Sequence, residues 1–255
     1  IRTASALFKG HKKILHSRVD FSARKNIRIY LNSEGTKIVD QHTIFGVTIS
    51  ARAKSDDGMD LFDQDTINFK NLKNFPSDDL LREKVLALIQ SLKKLRESKV
   101  IEPYVGPAIL EPDAAGVLFH ETIGHRLEGE RQRSEGEGKT FKEKISQLIL
   151  PDFINIFDDP TQKKYDDTYL YGTYFYDDEG QKAQKVELVR NGILKNFLMS
   201  RVPIKNFTGS NGHGRSDGTR DPIARMSNLI IKSNKEVSHK KLKEILIEES
   251  KKQNK

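Results

Sequence analysis

A helix that leads into two histidines is predicted by residues 112–130, which read PDAAGVLFHETIGHRLEGE. Pro112 suits the first helical position because its missing N–H would have no partner there. Gly129 is the predicted end of the helical segment. Just upstream, the apolar run Ala108-Ile109-Leu110 indicates a short strand. The sequence therefore predicts that the histidines lie on a helix that follows a strand.

The two histidines of this stretch are separated by five positions. His120 is followed directly by Glu121, and His125 is preceded by Gly124. Two imidazoles can hold a zinc ion while a neighbouring carboxylate takes a proton from the water that the ion activates. Two surface imidazoles are the alternative interpretation.

The spacing makes a specific demand on the backbone. In a regular α-helix, residues five apart point about 140° away from each other, so they cannot share one ion. A one-residue bulge of the π type would bring the two rings together, and such bulges favour functional sites. Gly124 is the position at which such a distortion is least costly.

The composition excludes several classes of protein. The chain has 255 residues, enough for one large domain or two small ones, and its net charge is +8. No stretch approaches the ~20 apolar residues of a membrane span. The chain has no cysteine, which excludes disulfides, thiolate zinc fingers, iron–sulfur clusters and a cysteine nucleophile within it. The basic residues are spread out and no stacking aromatics interleave with them, so nucleic acid is not an expected partner.

The rest of the chain predicts an α+β fold, in which antiparallel β-hairpins and sheet pack with a few helices. The predicted elements are β structure over residues 19–54 and 169–176, a helix over 77–98 with Ser77 as its N-cap, a loop over 130–147 that could act as a lid, a hairpin over 186–198 around Asn191-Gly192, a Gly-rich loop over 207–222, a strand over 228–232 and a helix over 238–250.

Residues 118–130 resemble the signature of the TldD/PmbA family, also called the modulator of DNA gyrase family. Its active members carry His-Glu-x-x-x-His followed by x-x-Glu-Gly-Asp or a similar sequence. The resemblance continues in family order through Asn32-Ser33-Glu34-Gly35, Asp177-Asp178-Glu179-Gly180, Asn191-Gly192-Ile193-Leu194, Gly209-Ser210-Asn211-Gly212 with Arg215, and Pro222 with Arg225-Met226-Ser227-Asn228.

The resemblance implies a zinc-dependent peptidase that acts on peptides or unfolded polypeptides. It implies His120 and His125 as zinc ligands and Glu121 as the general base. Family members often work as a paired assembly of a catalytic and a non-catalytic subunit, so a homo- or hetero-oligomer with a TldD/PmbA-like subunit is expected. Residues 1–104 are then a β-meander with a helix, and residues 105–255 a metallopeptidase core that is incomplete at its C-terminal end.

One feature departs from the family pattern. Catalytic members take a third zinc ligand from a cysteine in the C-terminal part of the fold, and this chain has none. Either that ligand lies in a segment missing from this chain, or another residue replaces it. Glu128 and His213 are the candidates within the chain. For Glu128 the favoured alternative is a carboxylate that orients a histidine, and for His213 the alternative is an exposed loop histidine. Arg215 could bind a substrate carboxylate, or it could be an ordinary surface arginine.

Two functions follow from this departure. The intact His-Glu-x-x-x-His set favours a peptidase, whereas the missing cysteine favours a non-catalytic peptide-binding or scaffold subunit. Two ligands alone would hold zinc weakly, so an inactive chain is also compatible with the sequence. We expect a cytoplasmic protein, or an exported one if a leader was removed.

Overall fold

The fold is α+β, as predicted. A computed structural model describes residues 1–133, 140–166 and 168–254. The chain divides into two compact units, Ile1–Tyr104 and Val105–Lys255, each with its own hydrophobic core.

The first unit is built on a three-stranded antiparallel meander. Its elements are α1 (Arg2–Ala6), β1 (Ile14–Leu31), β2 (Lys37–Lys54), β3 (Asp60–Phe69) and α2 (Asp78–Glu97). The predicted hairpin is confirmed, and its turn is closed by Asn32 Oδ1, which accepts from the N–H groups of Glu34 at 3.1 Å and Thr36 at 2.9 Å. β3 was not predicted, because polar residues stand on both of its faces, with Asp63 and Asp65 on the half-buried one.

Helix α2 covers one face of this sheet. Ser77 is its N-cap, and the Ser77 hydroxyl accepts from the N–H of Leu80 at 3.2 Å. Its apolar residues Leu81, Val85, Leu88 and Leu92 recur at spacings of three and four and are buried, but Leu95 is 44% exposed. Leu95 lies in the last turn of α2, where this apolar stripe leaves the core.

The second unit is built on a four-stranded antiparallel sheet in the order β11-β4-β7-β8. Its helices are α3 (Pro112–Phe119) and α4 (His239–Lys252). Its strands are β4 (Ile154–Asp158), β5 (Lys164–Tyr165), β6 (Thr168–Tyr169), β7 (Val186–Arg190), β8 (Ile193–Leu194), β9 (Gly214–Arg215), β10 (Ile223–Ala224) and β11 (Leu229–Ser233). The predicted hairpin turn is confirmed, with φ of +49° at Asn191 and +74° at Gly192. This pair of positive values is typical of a type I′ turn.

Some local predictions are wrong. Residues 98–111, all described, form neither helix nor strand, so the apolar run at 108–110 is not a strand. The run at 169–176 contributes only the end of β6, because Tyr174 is instead buried in an irregular segment. The predicted loop at 130–147 begins inside a 3₁₀ turn, Gly129–Arg133. Its residues 134–139 lie outside the described part, so the lid stays a prediction.

Among the described residues, no helix combines the length and the apolar character needed to cross a membrane.

Candidate metal centre

The histidine motif lies where one helix changes its winding. Helix α3 ends at Phe119, a π turn spans His120–Gly124, and a 3₁₀ turn follows at His125–Leu127. The predicted π-type distortion is therefore confirmed. Phe119 and Ile123 pack against the core of the second unit, which holds the turn on the apolar side.

Gly124 allows this turn to lie close to the segment before β11. A Cβ on Gly124 would lie 2.1 Å from Met226 Sδ and 3.1 Å from Leu229 Cδ2, both closer than ordinary contact. The glycine therefore serves packing at this position as well as backbone freedom.

The π turn brings the two imidazoles together. Their ring centroids are 4.6 Å apart and the ring planes are inclined at 78°. The Glu121 carboxylate lies 3.8 Å from His120 Nε2 and 3.9 Å from His125 Nε2. The side chains of His120 and Glu121 are 49% and 63% exposed, and that of His125 is 24% exposed. The cluster is therefore open to a substrate.

This donor set fits zinc. One ligand atom from each of the three side chains lies within 4.8 Å of the others. Bonds of about 2.0–2.1 Å to a tetrahedral ion would place ligand atoms roughly 3.3 Å apart, so small side-chain rotations suffice. Among the described residues, this is the one such group of three or more His, Asp or Glu side chains.

Glu128 lies behind His125. Its side chain is 2% exposed, and Oε1 lies 3.0 Å from His125 Nδ1. Oε2 accepts from Arg131 Nε at 3.0 Å and from an Arg225 nitrogen at 3.4 Å. Both carboxylate oxygens therefore have partners other than an ion.

His213 does not join the metal cluster. It is fully buried, with Nε2 at 3.0 Å from Asp158 Oδ1 and Nδ1 at 3.0 Å from the carbonyl oxygen of Asn211. The expectation of an exposed loop histidine is wrong. Because both of its ring nitrogens are hydrogen-bonded, His213 links β4 to the Gly-rich loop.

The acidic turn at 177–180 is part of the framework. Asp177 is fully buried and accepts from the N–H groups of Gln181 at 2.8 Å and Gly214 at 2.9 Å. Burial raises the pKa of the Asp177 carboxyl, although these hydrogen bonds oppose the shift. Arg215 packs on the Tyr174 ring at 4.3 Å and pairs with Asp178 at 3.4 Å. A substrate-binding role for Arg215 stays a prediction.

Several residues around the site were not singled out from the sequence. Arg131 directly follows the signature at 118–130, and a charge three residues after Glu128 is a helical-spacing signal that could have found it. Asp158 is brought to His213 by the fold and carries no comparable local signal.

This chain is similar to a known protein family and to several known proteins. Residues 104–252 match the family described as the PmbA/TldA metallopeptidase C-terminal domain. A metalloprotease of Methanocaldococcus jannaschii is 30% identical over 224 residues, which are 87% of this chain and 47% of that protein. A zinc metalloprotease TldD homologue of Saccharolobus solfataricus is 31% identical over 153 residues, which are 58% of this chain and 32% of that protein. The chain thus spans about half the length of the M. jannaschii relative.

Solved structures share the fold. A protein described as a modulator of a DNA gyrase from Thermotoga maritima has a TM-score of 0.72 at 17% identity, over 96% of this chain and 53% of that one. TldE from Thermococcus kodakarensis has a TM-score of 0.63 at 18% identity, over 94% of this chain and 52% of that one. At these identities the likeness concerns the fold alone.

Proposed function

Because this chain belongs to the TldD/PmbA metallopeptidase family, we propose that it carries the metal-binding motif of a zinc-dependent peptidase. The substrates in this proposal are peptides or unfolded polypeptides, hydrolysed in the cytoplasm. The active form is an oligomer with a second copy or with a TldD/PmbA-like subunit.

The observation that supports this proposal most is the convergence of His120 and His125. A regular helix would separate residues five apart, and the π turn instead leaves their ring centroids 4.6 Å apart. Such a turn replaces regular α-helical hydrogen bonding, and π bulges occur frequently at functional sites.

Each side chain of the cluster has a role in the proposal. His120 and His125 would hold the ion, and zinc bound there would supply a water whose pKa is lowered. The Glu121 carboxylate lies within 4 Å of both Nε2 atoms, so it is placed to take the proton from that water. The same carboxylate then returns the proton to the leaving amine.

The number of donors in the cluster determines how zinc binding is measured. A catalytic zinc site usually has three protein ligands and a water. Among the described residues, Glu121 is the third donor of the cluster, but the proposal uses it as the base. Zinc content is therefore measured both for this chain alone and with a TldD/PmbA-like subunit added.

Elemental analysis and cleavage of an unfolded polypeptide test the proposal. We expect near one zinc per chain in the wild type and in Glu121→Gln, with cleavage lost in Glu121→Gln. The matched control is Glu244→Gln, which changes an exposed carboxylate of the same unit and should retain cleavage. Cleavage that survives in Glu121→Gln would exclude this residue as the base.

The metal ligands are tested by a second pair of variants. His120→Ala and His125→Ala should each lose zinc, and unchanged zinc content in both would refute the site. Zinc binding by the wild type without any cleavage, alone or with the second subunit, would instead favour the non-catalytic peptide-binding role.

A further inference from the structure

We propose that Glu128 is a positioning residue that presents His125 to the metal. Two arginines, Arg131 and Arg225, hold the Glu128 carboxylate in place. The role of Glu128 in metal binding rests on the proposed function, whereas its hydrogen bond to His125 can be tested without a metal.

The backbone of Glu128 is fixed against the core. Glu128 forms an isolated parallel bridge with Leu198, where Gly129 N–H donates to the Leu198 carbonyl at 2.8 Å and Leu198 N–H donates to Leu127 at 2.9 Å. A Cβ on Gly129 would lie 2.8 Å from that Leu198 carbonyl oxygen, so a glycine allows the close approach. Glu128 therefore starts from a rigid position.

The surroundings of Glu128 fix the direction of its carboxylate. Its side chain is 2% exposed, and a buried carboxylate is unfavourable unless charges and hydrogen bonds compensate it. Arg131 Nε at 3.0 Å comes from the next turn of the chain, and Arg225 at 3.4 Å comes from 97 residues further along. Both arginines contact the same oxygen, Oε2, which leaves Oε1 directed at His125.

This arrangement determines which nitrogen of His125 is available. Glu128 Oε2 is hydrogen-bonded to the two arginines. Oε1 faces His125 Nδ1 at 3.0 Å and accepts a hydrogen bond from the N–H of that nitrogen. Nε2 then carries the lone pair and lies on the side of Glu121, 3.9 Å from that carboxylate. Carboxylates that hold a histidine ligand in this way orient the ring and increase its basicity. Glu128 is thus not the third ligand.

The first test is the tautomer of His125 in the metal-free full chain. Two-bond ¹H–¹⁵N NMR spectra of histidine-labelled protein, recorded at a pH where histidine is neutral, distinguish Nδ1–H from Nε2–H. The His125 signals are assigned by their loss in His125→Gln. We expect the Nδ1–H form in the wild type, and a predominant Nε2–H form would overturn the proposal without reference to peptidase activity.

The second test is zinc affinity, measured by competition with a chelator. Glu128→Gln keeps the size of the side chain but turns an amide N–H₂ toward Arg131 or toward His125. We expect zinc affinity to fall about 10- to 100-fold, as for other carboxylates that orient a ligand histidine. The matched control is Glu187→Gln, which removes a carboxylate that pairs with Arg190 three residues along β7 and should leave affinity unchanged.

The outcomes separate this proposal from the proposed function. Unchanged zinc affinity in a folded Glu128→Gln variant would overturn the positioning role, even if Glu121→Gln abolishes cleavage. If Glu128→Gln does not fold, Arg225→Gln replaces it, because Arg225 is 42% exposed and its loss should weaken zinc binding in the same direction but less. Unchanged affinity in that variant would likewise overturn the proposal.

Discussion

Replacing Gly124 by Ala tests the packing that holds the π turn. The new Cβ would lie 2.1 Å from Met226 Sδ, a separation that real Cβ atoms do not adopt, and 3.1 Å from Leu229 Cδ2. Met226 must therefore move or the turn must shift. Overpacking a filled site costs about 1–3 kcal/mol, against which a less flexible unfolded chain returns up to about 1 kcal/mol. We expect the free energy of unfolding to fall by about 1–2 kcal/mol.

Gly116→Ala provides a matched control on the same helical segment. Gly116 lies inside α3, and a Cβ there would meet no atom within 4 Å. Alanine is the better helix former by up to about 1 kcal/mol, so this variant should be more stable than the wild type. Urea unfolding at equilibrium should therefore move the midpoints of the two variants in opposite directions.

A double mutant identifies the cause of the loss. In a Met226→Ala background the main obstacle is absent, so Gly124→Ala should cost clearly less there than in the wild type, with a coupling of about 0.5–3 kcal/mol. If Gly124→Ala is as stable as Gly116→Ala, or if Met226→Ala leaves its cost unchanged, the close packing of the π turn does not restrict residue 124 and our reasoning is wrong.

Two further predictions concern two glycines and a carboxylate of the second unit. Gly192→Ala should lower the free energy of unfolding more than Gly218→Ala does. At residue 218 the positive φ alone costs about 1–2 kcal/mol, since no atom lies within 4 Å of a Cβ there, whereas a Cβ at residue 192 would also lie 2.2 Å from the Leu150 carbonyl oxygen. Equal urea midpoints for the two variants would refute this. Burial raises the pKa of Glu179 despite the N–H that Arg201 donates to it. The folded state thus binds this proton more tightly, and the associated stability is lost as pH rises through the raised pKa. Glu179→Gln should gain stability relative to the wild type as pH rises, and a pH-independent difference would contradict it.

Local signals were enough for the main hairpins and the longer helices. The hairpin of β1 and β2, helix α2 after Ser77 and the Asn191-Gly192 turn were predicted because capping residues, periodicity and turn chemistry act over a few neighbouring positions. β3 was missed because a strand with polar residues on both faces resembles a loop until its partner β2 is known. The strand predicted at 108–110 does not form, because apolar residues form a strand only where they can pair with the edge of a sheet.

The candidate site divides in the same way. The π turn could be predicted because His120, Gly124 and His125 lie close together in the sequence. Helix geometry alone shows that two rings five positions apart need a bulge to converge. The environment of His125 could not be predicted, because Arg225 reaches Glu128 from 97 residues away. The burial of His213 against Asp158 is likewise a product of the fold, since those residues are 55 positions apart.

The sequence by itself therefore determined the α+β class, the α2 helix, the main hairpins and the distortion of the histidine helix, because each depends on short-range sterics and hydrogen bonding. Only the tertiary structure decided which side chains surround those histidines. Burial, charge pairing and close glycine contacts arise when distant segments pack together, and no local pattern specifies which segments will meet.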